Sequence, residues 1–432
     1  VVRIASVLAC LAVTASVAAA APELPRAVAP PRTFDVAKHG AVGDGRTSDT
    51  AAIQSTIAAC AAAGGGTVEV PAGTFLTGPL TLASNLDLHL NAGATLRLTD
   101  DPGPFHTGGR GVVSGVVADD CHDLSITGEG TIDGQGQRWW DAFRKVKGTP
   151  AAADPAAHRP YLVVLNRCER VLVRGVTLTD SPSFHLVPRA CSDVTIDAVH
   201  FRAPADAPNT DGLDPSGWRF AITGCTFDVG DDCIAIKPSG AGRDGEPSCA
   251  DFLVENCTFR HGHGLSIGGQ TPGGLRHLVV RRCTFDGTTA GIRLKAGRGT
   301  GGVVEDLVYE DLTMRGVTTP IDITSYYPKL PADPAADPAR PVTATTPVWR
   351  HITITRLTAT GSPAAGRIVG LPEMPVDGVT LTDVHLSANK GLTVIAARGV
   401  RFVDSSVAIA TGPTLIRGGV ADVTGLADAG AR

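Results

Sequence analysis

From residue 66 to the C-terminus the chain is a succession of short apolar runs rich in Val, Ile, Leu and Thr, broken by Gly, Asp and Asn. Runs this short, closed by turn formers, predict strands. Ahead of them, "TFDVAKHGAVGDGRTSDT" (33–50) predicts a short strand followed by a Gly-rich loop. "SDTAAIQSTIAACAAAGGG" (48–66) then predicts one helix, with Ser48 or Asp49 as its cap and Gly64 to Gly66 as its stop. No later segment predicts a second helix.

The runs repeat. "ITGCTFDVGDDCIAIK" is followed by "VENCTFRHGHGLSIGG", "VRRCTFDGTTAGIRLK" and "YEDLTMRGVTTPIDIT", and upstream "IDAVHFRAPADAPNTDGLDP" fits the same frame with extra loop residues. Cys225, Cys257 and Cys283 share one position, matched by Val199 and Leu312, while Leu213, Ile234, Leu265, Ile292 and Ile321 share another. A period of about 20–35 residues signals a solenoid, in which each unit buries its apolar side against the next. Strands without intervening helices predict a parallel β-helix, with the early helix capping the open N-terminal end of its core. Hairpin-based propellers and sandwiches fit this spacing poorly.

The N-terminus reads as an export leader over residues 1–21: Arg3, then the apolar "IASVLACLAVTASVA", then small residues near Ala20 and Ala21. The mature chain, 22–432, is expected to be a single domain, secreted to the periplasm or beyond, and monomeric. No segment is long and apolar enough to span a membrane. A net charge of −5 argues against nucleic acid as a partner. Removing Cys10 with the leader leaves 10 − 1 = 9 cysteines, an odd number without zinc-site spacing, most simply read as small buried hydrophobes. Two Pro/Ala-rich stretches, 141–160 and 326–347, interrupt the frame as surface loops of the kind that border sites.

The frame also orders the charges. Two residues before the aligned aliphatics stand Asp211, Asp232 and His263; Arg293 and Lys295 lie one coil further, on one strand face. With strands roughly 4.8 Å apart, consecutive coils stack these side chains into a column of acids and a His leading to a basic pair. Strict alternation would turn Asp232 inward, where an unpaired carboxylate is costly, so the strand must begin after it or a bulge must re-aim it; Gly230 marks the break. Crowded carboxylates raise at least one pKa, leaving a protonated acid beside ionised bases, which is the equipment for glycosidic hydrolysis. Arg293 and Lys295 can hold an acidic sugar's carboxylate. An Asp-Asp turn, a "GHG" or an "RLK" alone means little; their alignment carries the reading.

Four segments, Asn209-Thr210-Asp211, Gly230-Asp231-Asp232, Gly262-His263-Gly264 and Arg293-Leu294-Lys295, in this order and spacing, resemble the signatures of the polygalacturonase family of glycoside hydrolases (family 28). "GEGTIDGQGQRWW" (128–140) and "SPSFHLVP" (181–188) are similar to further family segments, and the likeness covers most of the mature chain. The resemblance implies a right-handed parallel β-helix and inverting hydrolysis of α-1,4 bonds between galacturonates of pectin. It implies Asp231 as general acid, Asp211 and Asp232 as the pair activating water, and His263 beside the acid. It further implies Asn209 lining the site, Arg293 and Lys295 binding the substrate carboxylate, and Tyr326, with Tyr327 as the alternative, touching the sugar. No metal or organic cofactor is expected. The cysteine spacing departs from fungal members and is closer to bacterial ones.

Three other readings compete. A hydrolase of rhamnogalacturonan or xylogalacturonan would share the fold and column. A Ca²⁺-dependent pectate lyase would use the acids as ligands, but leaves His263 and Lys295 unexplained. A glycan-binding adhesin needs no acid column and would display more aromatic residues than 4 Trp and 4 Tyr.

Overall fold

The computed structural model describes residues 24–107, 111–147, 157–243 and 245–426; the expected leader lies outside these. The strands form a right-handed parallel β-helix in which each coil lies in register on the one before. The aliphatic row is continuous. Leu186 pairs with Leu213, Leu213 with Ile234, Ile234 with Leu265, Leu265 with Ile292, and Ile292 with Ile321, all fully buried. Alternation along each strand turns these residues into the shared core and their neighbours toward the cleft.

A second row explains the cysteines. Cys225, Cys257 and Cys283 continue to Leu312, the register partner of Cys283. Each thiol donates to the carbonyl two residues earlier, at 3.4, 3.4 and 3.3 Å, so the sulfur fills the core and also closes the turn. All nine described cysteines are buried and none is in a disulfide. Beside them Phe201, Phe227, Phe259 and Phe285 stack face to face with centroids 4.7, 5.2 and 4.3 Å apart.

On the outer surface, one left-handed residue per coil forms another column: Asp123, Arg170, Asp193, Arg219, Asp251, His277, Asp306 and His351, all at positive φ. Acid and base alternate along it. Arg170 bonds Asp123 at 2.7 Å, Arg219 bonds Asp193 at 2.6 Å, and His277 and His351 bond Asp251 and Asp306 at 3.0 Å.

Helix α1, Thr50–Ala62, buries Ile53, Ile57 and Cys60 over the N-terminal end of the core. Asp49 stands at its N-cap, but its carboxylate turns back to accept from the amides of Val42 and Gly43 instead of capping the helix. The helix stops where expected: Gly65 has φ +109°, and a Cβ there would meet Asn85 O at 2.2 Å.

The expectation of a single helix is corrected. A second, α2, runs over Gln137–Val146, taking in the start of the stretch expected to be loop. It is held by burial of Trp139 and Trp140. Trp139 meets Phe105 edge-on at 5.6 Å, and Trp140 Nε1 donates to Ser181 O at 3.0 Å. The second insertion does run without strands, and Arg298 ties it down through ion pairs to Asp337 at 2.7 Å and Glu373 at 2.6 Å.

Candidate active site

The regular strand of the central coil is Ile234–Ile236, so Asp232 lies before it, as the alternation argument requires. The coils stay joined there: Gly212 N donates to Asp232 O at 2.9 Å, and His263 N to Asp231 O at 2.9 Å. Gly230 approaches its neighbours so closely that a Cβ would meet Ala207 O at 2.4 Å. Freed from the alternation, the Asp232 side chain faces the outer positions of the next two coils. It takes a 2.6 Å ion pair from Lys295, a 2.9 Å one from Arg293 and a 2.9 Å hydrogen bond from Ser266.

Asp211, Asp231 and Asp232 bring one carboxylate oxygen each within 4.8 Å of the others. They are not equivalent. The side chains of Asp211 and Asp232 are buried, whereas that of Asp231 is 26% exposed. Asp231 accepts from Asp232 N at 2.9 Å and from Asn209 Nδ2 at 3.4 Å. His263 Nε2 lies 3.7 Å from Asp231, and His263 Nδ1 meets Thr289 Oγ1 at 2.6 Å.

Burial, reinforced by repulsion from Asp214 and Asp232, pushes the Asp211 carboxyl well above the ordinary carboxylate range. Asp232 goes the other way. Burial raises it, but Lys295, Arg293 and Lys237 together outweigh burial and hold it ionised. Burial lowers the His263 pKa, against the opposing pull of Asp232 and Asp231. Asp211 and Asp232 are thus pulled in opposite directions, and their titration belongs to the group. With both Asp232 oxygens already bonded by Lys295, Arg293 and Ser266, the trio is a poor cation site despite its spacing.

Three residues of the site were not singled out from the sequence. Arg159, from the end of the first insertion, donates to Pro182 O at 3.0 Å, Pro208 O at 2.6 Å and Asn209 Oδ1 at 2.7 Å. It thereby fixes the Asn209 amide with its nitrogen toward Asp231. Lys237 Nζ stands 3.6 Å from Asp211 and 3.3 Å from Asp214. Asp214 is fully buried without a well-aligned hydrogen bond, and burial raises its pKa to about 7.

The two tyrosines separate. Tyr326 turns into a small apolar cluster with Val369 and Leu371, and its hydroxyl donates to Asp337 at 2.9 Å. Tyr327 lines the cleft, 5.2 Å from Lys295 Nζ. Just past the strand Thr319–Thr324, then, Tyr327, the alternative, faces the cleft and Tyr326 does not. The cleft, about 820 Å³, runs along the coils and is walled by Tyr161, Phe184, Lys237, Gly268, Gly269 and Tyr327.

Known proteins agree with this geometry. Residues 60–403 match the model of the glycosyl hydrolases family 28. The chain is 30% identical over 398 residues to a probable polygalacturonase of Vitis vinifera, covering 85% of this chain and 77% of that one. It is 32% identical over 304 residues to an endo-polygalacturonase of Pectobacterium carotovorum subsp. carotovorum, covering 65% and 72%. Among solved structures, the hyperthermoactive exopolygalacturonase of Thermotoga maritima superposes with a TM-score of 0.67 at 28% identity, over 92% of this chain and 94% of that one. The carboxylate column, the basic pair and the β-helix that stacks them place the chain in one family: it belongs to the glycosyl hydrolases of family 28.

Proposed function

We propose that this protein hydrolyses the α-1,4 bonds between galacturonate residues of de-esterified pectin, by acid/base catalysis and without a metal or organic cofactor. The observation that carries the reading is Asp232, ion-paired to both Lys295 and Arg293 and clustered with the carboxylates of Asp211 and Asp231. A committed base beside further carboxyl groups suits a bond whose cleavage needs both a base and an acid. Asp231, the most exposed of the three, protonates the leaving oxygen, with His263 beside it. Asp232, held ionised, deprotonates the attacking water, and Asp211 beside it positions that water. Arg293, 20% exposed at its side chain, is the member of the basic pair open to a sugar carboxylate, while Lys295, 6% exposed, chiefly serves Asp232. Asn209 lines the site, and Tyr327 meets the sugar. The leader-like N-terminus supports secretion, where such a polymer would be met. Among the described residues no helix is long and apolar enough to cross a membrane.

The test is purified protein on de-esterified polygalacturonate in EDTA, with reducing ends and near-ultraviolet absorbance read together. Reducing ends without absorbance, abolished by Asp231→Asn, are expected. Absorbing products would mean elimination and overturn the reading. Cleavage confined to rhamnogalacturonan or xylogalacturonan would move the substrate to a branched pectin.

A further inference from the structure

The floor of the cleft carries a column that the catalytic reading leaves partly unused. Lys237 N bonds Pro215 O and Ser216 N bonds Pro188 O, which sets Arg189, Ser216 and Lys237 on successive coils. Ile236 pairs with Ile267, and Gly268 with Lys295, which continues the column through Gly268 to Lys295. Cations thus stand on every second coil: Arg189, Lys237 and Lys295. Ser216 and Gly268, between them, are small and keep the floor open. Two of the three cations are already committed. Lys295 neutralises Asp232, and Lys237 lies between Asp211 and Asp214.

Arg189 differs. It is exposed, and its guanidinium has no carboxylate partner among the described residues. It is not loose, because it lies over the Tyr161 ring at 5.2 Å, and that ring is stacked on Phe184 at 4.8 Å with planes 3° apart. A guanidinium resting on an aromatic face is pre-oriented and keeps its edge for an anion. Arg189 and Lys237 line the same cleft, together with Ser216 and Gly268. Four coil steps separate Arg189 from Lys295, about 19 Å along the axis. The catalytic carboxylates lie nearer: Asp211 is one coil step from Arg189 and Asp232 two, about 10 Å along the axis, on the order of two hexose rings.

We propose that Arg189, held over Tyr161, is a subsite for the carboxylate of a uronate residue about two sugars away from the bond that is cut. The proposal rests on the polyuronate reading above and adds to it a length requirement and a charge requirement. The substrate must reach the N-terminal end of the cleft, and the sugar arriving there must be unesterified. A neutral methyl ester would lose the charge-assisted hydrogen bonds and leave the guanidinium unpaired.

The experiment compares wild type, Arg189→Gln and Arg189→Lys on unesterified galacturonate oligomers of increasing length. Binding of the same oligomers is measured by calorimetry in an Asp231→Asn background. With Gln, kcat/KM is expected to fall about tenfold on the longest oligomers, through KM, and to stay unchanged on the shortest one cleaved. Lys should recover much of the loss. Binding should show the same length-dependent loss. Equal activity at every length, or an equal loss at every length, would overturn the subsite while leaving the hydrolysis standing. Arg189-dependent binding without turnover would do the reverse, and no binding at any length would sink both.

Discussion

Lys295 Nζ lies 2.6 Å from Oδ2 of Asp232, with both side chains buried, so the lysine expected from the sequence to hold the substrate is itself ion-paired to Asp232. Replacing it by methionine leaves Asp232 buried with Arg293 alone. The kcat of Lys295→Met is expected to fall by about 10²–10⁴-fold, the range for losing a positioned acid or base. Losing the cation raises the Asp232 pKa, so the acidic limb of the pH–rate profile should move to higher pH. Breaking the buried pair should also cost about 3 kcal/mol of stability in denaturant titration, much of it recovered in Lys295→Met/Asp232→Asn without recovery of activity.

Arg159 reaches Asp231 only through Asn209. Its loss should act on kcat more than on KM. For Arg159→Ala we expect a kcat decrease of about tenfold, with Arg159→Lys intermediate. Asn209→Asp should be worse than Asn209→Ala, because an aspartate still accepts from Arg159 but presents a carboxylate, not a donor, to Asp231. Steady-state kinetics with near-ultraviolet circular dichroism separate this from misfolding; an unchanged kcat in Arg159→Ala would refute the relay.

Asp214 gives a pH dependence with a defined sign. Burial raises its folded pKa to about 7, from an ordinary carboxyl value of 3.8. Between those values the folded protein holds a proton that the unfolded chain has lost, so this group's contribution is full below the unfolded pKa and declines as pH rises toward 7. Asp211, also raised, adds to the same slope. The melting temperature of wild type should fall from about pH 4 to pH 7, and Asp214→Asn should flatten that fall. A mutant slope identical to wild type would show that Asp214 is not the titrating group.

Tyr326 and Tyr327 can be told apart by which quantity moves. Tyr326→Phe removes a hydrogen bond to Asp337 and should lower stability by about 1 kcal/mol with KM unchanged. Tyr327→Ala should raise KM with little change in melting temperature. The opposite pattern would restore the expectation placed on Tyr326.

The stereochemical course also tests the site. The nearest oxygens of the acidic trio lie within 4.8 Å. That is shorter than the ~6.5–9.5 Å between carboxyl groups usual in inverting enzymes and nearer the ~5–5.5 Å of retaining ones. Proton NMR of the first-formed reducing end should show the β anomer if the Asp211–Asp232 pair activates water. An initial α product would make one of these carboxylates a nucleophile.

Much of this was legible in the sequence because a β-helix repeats its instructions. Leu213, Ile234, Leu265, Ile292 and Ile321 sit at matching offsets from the turns, and every expected neighbour is a register partner. What escaped lacked a repeated or local signal. Helix α2 starts at Gly136 without a side-chain cap and is stabilised by Trp139 against Phe105, a contact between distant segments. Arg159 is defined by oxygens from other coils, Pro182 O, Pro208 O and Asn209 Oδ1, and nothing in "AAHRPY" announces them. The Lys237–Asp214 pair crosses from one coil to the next and one strand position to another, so a frame that aligns like positions does not bring it together.

The alternating surface column has a consequence for assembly of the stack. Aliphatic, phenylalanine and cysteine rows are nearly the same from coil to coil, so they reward any neighbour almost equally and cannot count. The series from Asp123 to His351 can. Sliding the stack by one coil would set carboxylate against carboxylate and guanidinium against guanidinium, and like charges directly opposed are destabilising. The column works as a parity check, rejecting mistakes of an odd number of coils that the greasy interior would accept.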